Sequence, residues 1–218
     1  IGVVIVIGLG LLAANSFWTN SSIKEDERMA AQRNREKALL NQMLQAHSTL
    51  MLTAMDAIID KNEGVVSDAR MEAINSSISF FQGNLTRLQE VADTQEEKRL
   101  ANEIISDFPR LAKGIQIDLV NLIQRVDTYA QDLQAEFDQI DDTLDAMGDR
   151  IEADLKLMVE SIEAEQEIAA AALQERIDRS TIIGIVVFFL TLGVVIVIFI
   201  GITRSITGPI NRMIRETD

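Results

Sequence analysis

Between residues 20 and 179 apolar positions recur at intervals of three and four, the period of one face of an α-helix. Leu40, Leu44, His47, Met51, Ala54 and Ile58 mark one stripe, and Ile74, Ile78, Phe81, Leu85, Leu88 and Ala92 a second. A third runs from Leu111 through Leu122, Tyr129 and Phe137 to Met147, and a fourth from Ile151 through Met158 and Ala169 to Ile177. On either side the pattern changes to unbroken apolar runs, residues 1–14 and 182–203. The spacing predicts an all-α chain whose middle is four helices.

Breaks in the stripes place the turns. Lys61-Asn62-Glu63-Gly64 and Met147-Gly148-Asp149 suit helix ends, because glycine tolerates the left-handed conformation that closes a helix. Between them two helix starts compete. Asp107 with Pro109 pairs a capping residue with one that needs no amide partner, and Thr94 with Glu97 makes a capping box. Geometry favours the former. With the turn at 107–109, helices of about 43, 43, 38 and 33 residues return the chain to its starting level; with the turn at 93–97 the last helix ends about 54 Å away. The expectation is an antiparallel up-down-up-down four-helix bundle over 19–181, with 93–97 as a kink. Leu39, Met43 and Leu50 lie beside the main row of helix 1, which predicts a second contact face, most simply a homodimer.

The apolar run 182–203 has 22 uncharged residues, about 33 Å as a helix, and reads as a membrane span. Residues 1–18 read as a first membrane helix truncated at its start, with Trp18 suited to the interface, and the end of a cleaved signal peptide is the alternative. Arg204, Arg212 and Arg215 make the segment 204–218 net positive, so it belongs on the cytoplasmic side. The bundle is then periplasmic or extracellular, in an inner, or cytoplasmic, membrane protein crossed more than once.

Charge and composition narrow the chemistry. All but three of the 20 basic and all but two of the 34 acidic residues lie between the apolar runs, a net of −15. That excludes a nucleic-acid surface, which needs clustered positive charge. Without cysteine there is no disulfide or thiolate chemistry, and the lone His47 excludes His-pair metal motifs. An enzyme, a cofactor and a metal are therefore not expected. The acidic run Asp138, Asp141, Asp142, Asp145, Asp149 and Glu152 reads as a solvated helix face rather than a calcium loop.

The order of parts resembles a bacterial methyl-accepting chemotaxis protein with a four-helix-bundle sensor. After the second apolar run the sequence ITRSITGPINRMIRETD is similar to the start of a HAMP linker: Arg204, the run Ile206-Thr207-Gly208-Pro209-Ile210, and the spacing of Ile206, Ile210, Met213 and Thr217 match its first amphipathic helix. The resemblance implies a dimeric receptor, gathered into higher-order arrays, that binds a small-molecule ligand or a ligand-loaded binding protein. It further implies that the signal passes through helix 4 and the second span, by way of Arg204, Pro209 and Ile210, to a cytoplasmic kinase. Sensor histidine kinases share the same first parts and stand as the alternative. The amino-acid receptors of this family hold their ligand with arginines on helix 1; residues 50–56 here contain none, which departs from that pattern.

Two ligand sites can be read from the residues. With the turn at 107–109, His47, Phe80, Phe81 and Phe137 fall at one height with Gly83 just below, either a ring-lined cavity or ordinary core. Arg70 and Arg150 lie toward the far end of the bundle, as anion-binding groups or as surface ion pairs, Arg70 with Asp56.

Overall fold

The computed structural model describes residues 2–126 and 133–215, with the side chains at 1–7, 9, 11, 15, 18–20, 22 and 205–215 left aside. Tyr129 of the third stripe lies outside the described residues, as do the side chains of Trp18, Pro209 and Ile210. Among the described residues every element is helical.

Helix α1 covers Gly2–Ile59 and gives way to one 3₁₀ turn, Lys61–Glu63. Gly64 closes that turn at φ 69°, a left-handed conformation that costs glycine nothing, and its amide donates to the Lys61 carbonyl. The expected break at 61–64 is therefore where the chain reverses. Helix α2, Asp68–Val91, starts behind the N-cap Ser67.

The next break departs from expectation. Helix α2 stops at Val91 and α3 covers Gln95–Lys113, so the chain turns at 92–94 and runs as helix straight through 107–109. The capping box wins: the Thr94 hydroxyl accepts from the Glu97 amide at 3.1 Å while Glu97 Oε2 accepts from the Thr94 and Asp93 amides at 3.2 and 3.1 Å. Pro109 sits on the exposed side of α3, where it withholds an amide from the Ile105 carbonyl without ending the helix.

Past α3 comes a π-helical segment, Gly114–Leu119, and then α4, Val120–Val126. Its position has a packing reason. Leu100, Ile104, Phe108, Ala112 and then Ile115 and Leu119 are buried at mostly four-residue steps, and a stripe of fours drifts about 40° per step around an α-helix. A wider turn corrects the drift. Gly114 is needed there: a Cβ would come within 2.8 Å of Leu144 Cδ2.

Helix α5 covers Gln134–Arg215 without the break expected at 147–149. Gly148 is not a helix end. Its missing side chain makes room for Met51 of α1, whose Cε and Sδ would lie 2.7 and 2.9 Å from a Cβ.

The chain divides into two compact units, 1–31 with 167–218, and 32–166. The second unit has one apolar core, drawing Leu40, Met43 and Leu50 from α1, Ile74, Phe81 and Leu88 from α2, Ile104 and Phe108 from α3, and Leu155, Met158 and Ile162 from α5. Each such burial contributes about 1.5–3 kcal/mol. Leu39, Met43 and Leu50, expected on a second face, are at most 4% exposed within this core, so they offer nothing to a partner.

The first unit is built differently. Its part of α5 exposes large apolar side chains, with Ile182 62%, Phe189 64% and Val197 69% exposed. This helix includes a stretch long and apolar enough to cross a membrane. Gly8 of α1 packs against Thr191 so closely that a Cβ would lie 2.5 Å from its Cγ2, and Arg176 lies 3.7 Å from Asp26.

The position of the turn is testable. Pro109→Ala restores an amide in the interior of α3 and is expected to stabilise the protein by about 1–2 kcal/mol, whereas Thr94→Ala removes a cap and destabilises by about 1 kcal/mol. Thermal unfolding of the detergent-solubilised chain, followed by circular dichroism, reads both signs; a turn at 107–109 would reverse the first.

Candidate functional site

The expected ring layer assembles in part. His47 of α1 is 1% exposed and its ring lies 6.5 Å from that of Phe81 on α2, tilted by 59°. Phe81 in turn stacks on Phe108 of α3, centroids 3.9 Å apart and planes 10° apart. That spacing is van der Waals contact, so no flat ligand fits between them. Phe108 was not expected in the layer, because a turn at 107–109 would have placed it at the end of the bundle. Phe80, one position round α2, is 37% exposed and faces outward. Phe137 is buried near the start of α5, with Lys61 Nζ 4.8 Å over its ring, beside the 3₁₀ turn rather than beside His47. Gly83 is exposed and a Cβ there would meet nothing within 4 Å, so it opens no internal space below the rings.

Neither ring nitrogen of His47 has a hydrogen-bond partner. Burial pushes its pKa below the usual imidazole range, against smaller opposing pulls from Glu152, the Gly148 backbone and Asp149. The residue is a neutral, tightly packed member of the core.

The two arginines are occupied by acids of this chain. Arg70 pairs with Asp60 across the α1–α2 connection, not with Asp56. Arg150 is 64% exposed; its Nε donates to the Ala146 carbonyl at 3.2 Å and its Nη2 lies 3.7 Å from Asp107. It borders a surface cleft of about 460 Å³ shared with Arg99, Glu103, Asp107 and Asp154. Arg99 there is held by Glu96 and Glu103, both at 2.6 Å. Burial raises the Asp154 pKa, with Glu103 next and Asp107 adding to it, against Arg99 and Arg150. With three carboxylates against two guanidinium groups, the cleft carries more acid than base.

One polar cluster is not predicted by the apolar spacing. At the α2–α3 break, Arg33 of α1 reaches Glu36 at 3.0 Å, Asp93 at 2.5 Å and Glu165 of α5 at 2.7 Å. Beside them Glu97 is fully buried. Its Oε2 holds the two amides of the cap, while its Oε1 has no hydrogen-bond partner. Burial raises the Glu165 pKa; Arg33 opposes this, and Asp93, Glu97 and Glu36 add to it. A sequence signal existed: Glu97 precedes Leu100, Ala101 and Ile104 at helical spacing, which puts a carboxylate on the apolar face of α3.

Of the residues expected to carry a signal, Arg204 is exposed on α5, and the same helix continues through positions 209 and 210 to Arg215.

His47 yields a prediction with a definite sign. Its folded pKa is depressed, so below about pH 6.5 the unfolded chain takes up a proton that the folded chain refuses. Stability is lost as pH falls through that value. His47→Leu removes this loss, so its stability advantage over the wild type widens below pH 6.5 by up to about 1.4 kcal/mol per pH unit. Urea unfolding at a series of pH values checks it; an advantage that narrows on acidification would mean a charged, paired His47. Comparison of the chain with protein-family models, with curated proteins and with solved structures found no match.

Proposed function

We propose that the chain is the sensor and membrane part of a transmembrane receptor similar to a bacterial methyl-accepting chemotaxis protein. In this reading the unit 32–166 is an up-down-up-down four-helix bundle outside the cytoplasm, formed by α1, α2, the run from α3 to α4, and α5. Residues 1–18 and 182–203 cross the inner membrane, and 204–218 begins a HAMP-type linker that leads to a cytoplasmic kinase. The working unit is a homodimer that senses a small molecule or a ligand-loaded binding protein.

One observation carries the reading. The single helix α5 supplies core residues as far as Ile162 and, farther along the same unbroken helix, the apolar stretch 182–203, whose large side chains are exposed. Burying such a surface is worth about 25 cal/mol per Å², and among the described residues most of its large side chains stay exposed. A lipid bilayer would cover them, for a run of about this length. The close seat of Gly8 on Thr191 supports a second crossing beside the first, since small residues let membrane helices approach. Arg204 directly after the run, with Arg212 and Arg215, supports a cytoplasmic end.

Topology decides the matter, and the absence of native cysteine makes the experiment clean. Ser79→Cys on α2 is expected to react with a membrane-impermeant maleimide in intact spheroplasts, and Arg212→Cys only after permeabilisation. Labelling of both only after permeabilisation, or in the reverse order, contradicts the reading.

A further inference from the structure

The cluster at the α2–α3 break has more acid than this chain neutralises. Asp93, Glu97 and Glu165 each bring a carboxylate oxygen to within 4.8 Å of the others. Glu36 adds a fourth carboxylate on Arg33, held also by Gln32 Nε2 at 2.8 Å. Among the described residues Arg33 is the cation that bridges them; Lys98 stands at the edge, its Nζ on the Asp93 carbonyl at 2.8 Å. The independent observation is Glu97, which is 0% exposed, sits among these oxygens, and leaves Oε1 without a partner. Glu165 Oε2 is also buried and, though 2.7 Å from Arg33 Nη2, is out of line for a hydrogen bond. Buried carboxylate oxygens without donors are costly, and a bound cation is one of the few ways to satisfy them.

We infer that Asp93, Glu97 and Glu165 form a divalent-cation site of the calcium type, with the Arg33 guanidinium as the built-in counter-ion that competes for it. The donor set is all hard oxygen, which suits calcium or magnesium rather than a transition metal. Calcium, which takes about six to eight oxygens in a flexible geometry, suits carboxylates brought together from separate elements better than magnesium, which demands a near-ideal octahedron. The ion joins Glu165 on α5 to the start of α3, and releases Arg33 to its other partner, Glu36. The site lies wholly within the unit 32–166 and does not depend on the receptor reading.

The test uses the full chain in nanodiscs of zwitterionic lipid, with calcium chloride as the probe, followed by equilibrium dialysis and by thermal unfolding. Saturable uptake of one calcium per chain below about 10 mM is expected, with a rise in melting temperature. Glu165→Gln is expected to weaken uptake by about tenfold or more, and Asp93→Asn, a more exposed position, serves where Glu165→Gln fails to fold. Arg33→Gln removes the competitor and is expected to tighten uptake, a result that a purely structural arginine would not produce. Asp142→Asn with Asp145→Asn, on the acidic face of α5, leaves uptake unchanged. The inference is overturned by absence of saturable uptake in both the wild type and Arg33→Gln. It is equally overturned if the Glu165 and Asp93 variants bind as the wild type does, or if the Asp142/Asp145 pair abolishes uptake.

Discussion

The unit 32–166 depends on where one carboxylate is buried. Glu97 lies on the apolar face of α3, and a charge there is tolerated only because the backbone brings donors to it. Those donors are the amides of Asp93 and Thr94, which a turn would otherwise leave open. The same bonds end α2, start α3 and hold Asp93 against Arg33. Moving the turn would change the register of everything downstream. Phe108 reaches Phe81, which lies against His47, because α3 has already run for thirteen residues when it arrives at that level.

Two glycines then let the helices close on one another. Gly114 and Gly148 both look like interruptions, yet each lies inside a helical run where a neighbouring side chain, Leu144 or Met51, occupies the space of its missing Cβ. Along α5 the solvent for apolar residues changes while the backbone does not. Leu155, Met158 and Ile162 are covered by the protein's own core, and residues of the same chemical kind beyond Ile182 are bare. The helix is continuous across this change, while the three-four spacing of apolar positions gives way to an unbroken apolar run.

The sequence made the helical class, the reversal at 61–64 and the apolar character of 182–203 legible, because each rests on local information: periodicity, a glycine at a left-handed position, an unbroken run. The second turn was not legible in the same way. Two helix-start signals compete, at 94–97 and at 107–109, and the geometric argument between them holds only if Gly148 ends a helix. What Gly148 does is set by Met51, roughly a hundred residues away, which local rules do not see. The site residues inherited the error. His47 and Phe81 meet as expected; Phe137 sits beside Lys61, and Phe108 takes the place in the layer. Phe80 fails for a simpler reason, since adjacent helical positions point about 100° apart. Arg70 and Arg150 are visible in the sequence, but their partners Asp60 and Asp107 come from packing and turn geometry. Every member of the acidic cluster is visible in the sequence; their convergence needs the three-dimensional path of α1, α3 and α5.

Amide hydrogen exchange across residues 88–113 of the full chain tests the central claim most directly. The buried Glu97 carboxylate should protect the Asp93 and Thr94 amides, which in an open turn exchange rapidly, and protection should continue unbroken from 97 through 108 and resume at Arg110. In Glu97→Ala, which leaves no side-chain acceptor, protection should fall at 93 and 94 first. Fast exchange at 106–110 in the wild type, with helical protection running through 92–94, would place the reversal at Pro109 and contradict the account.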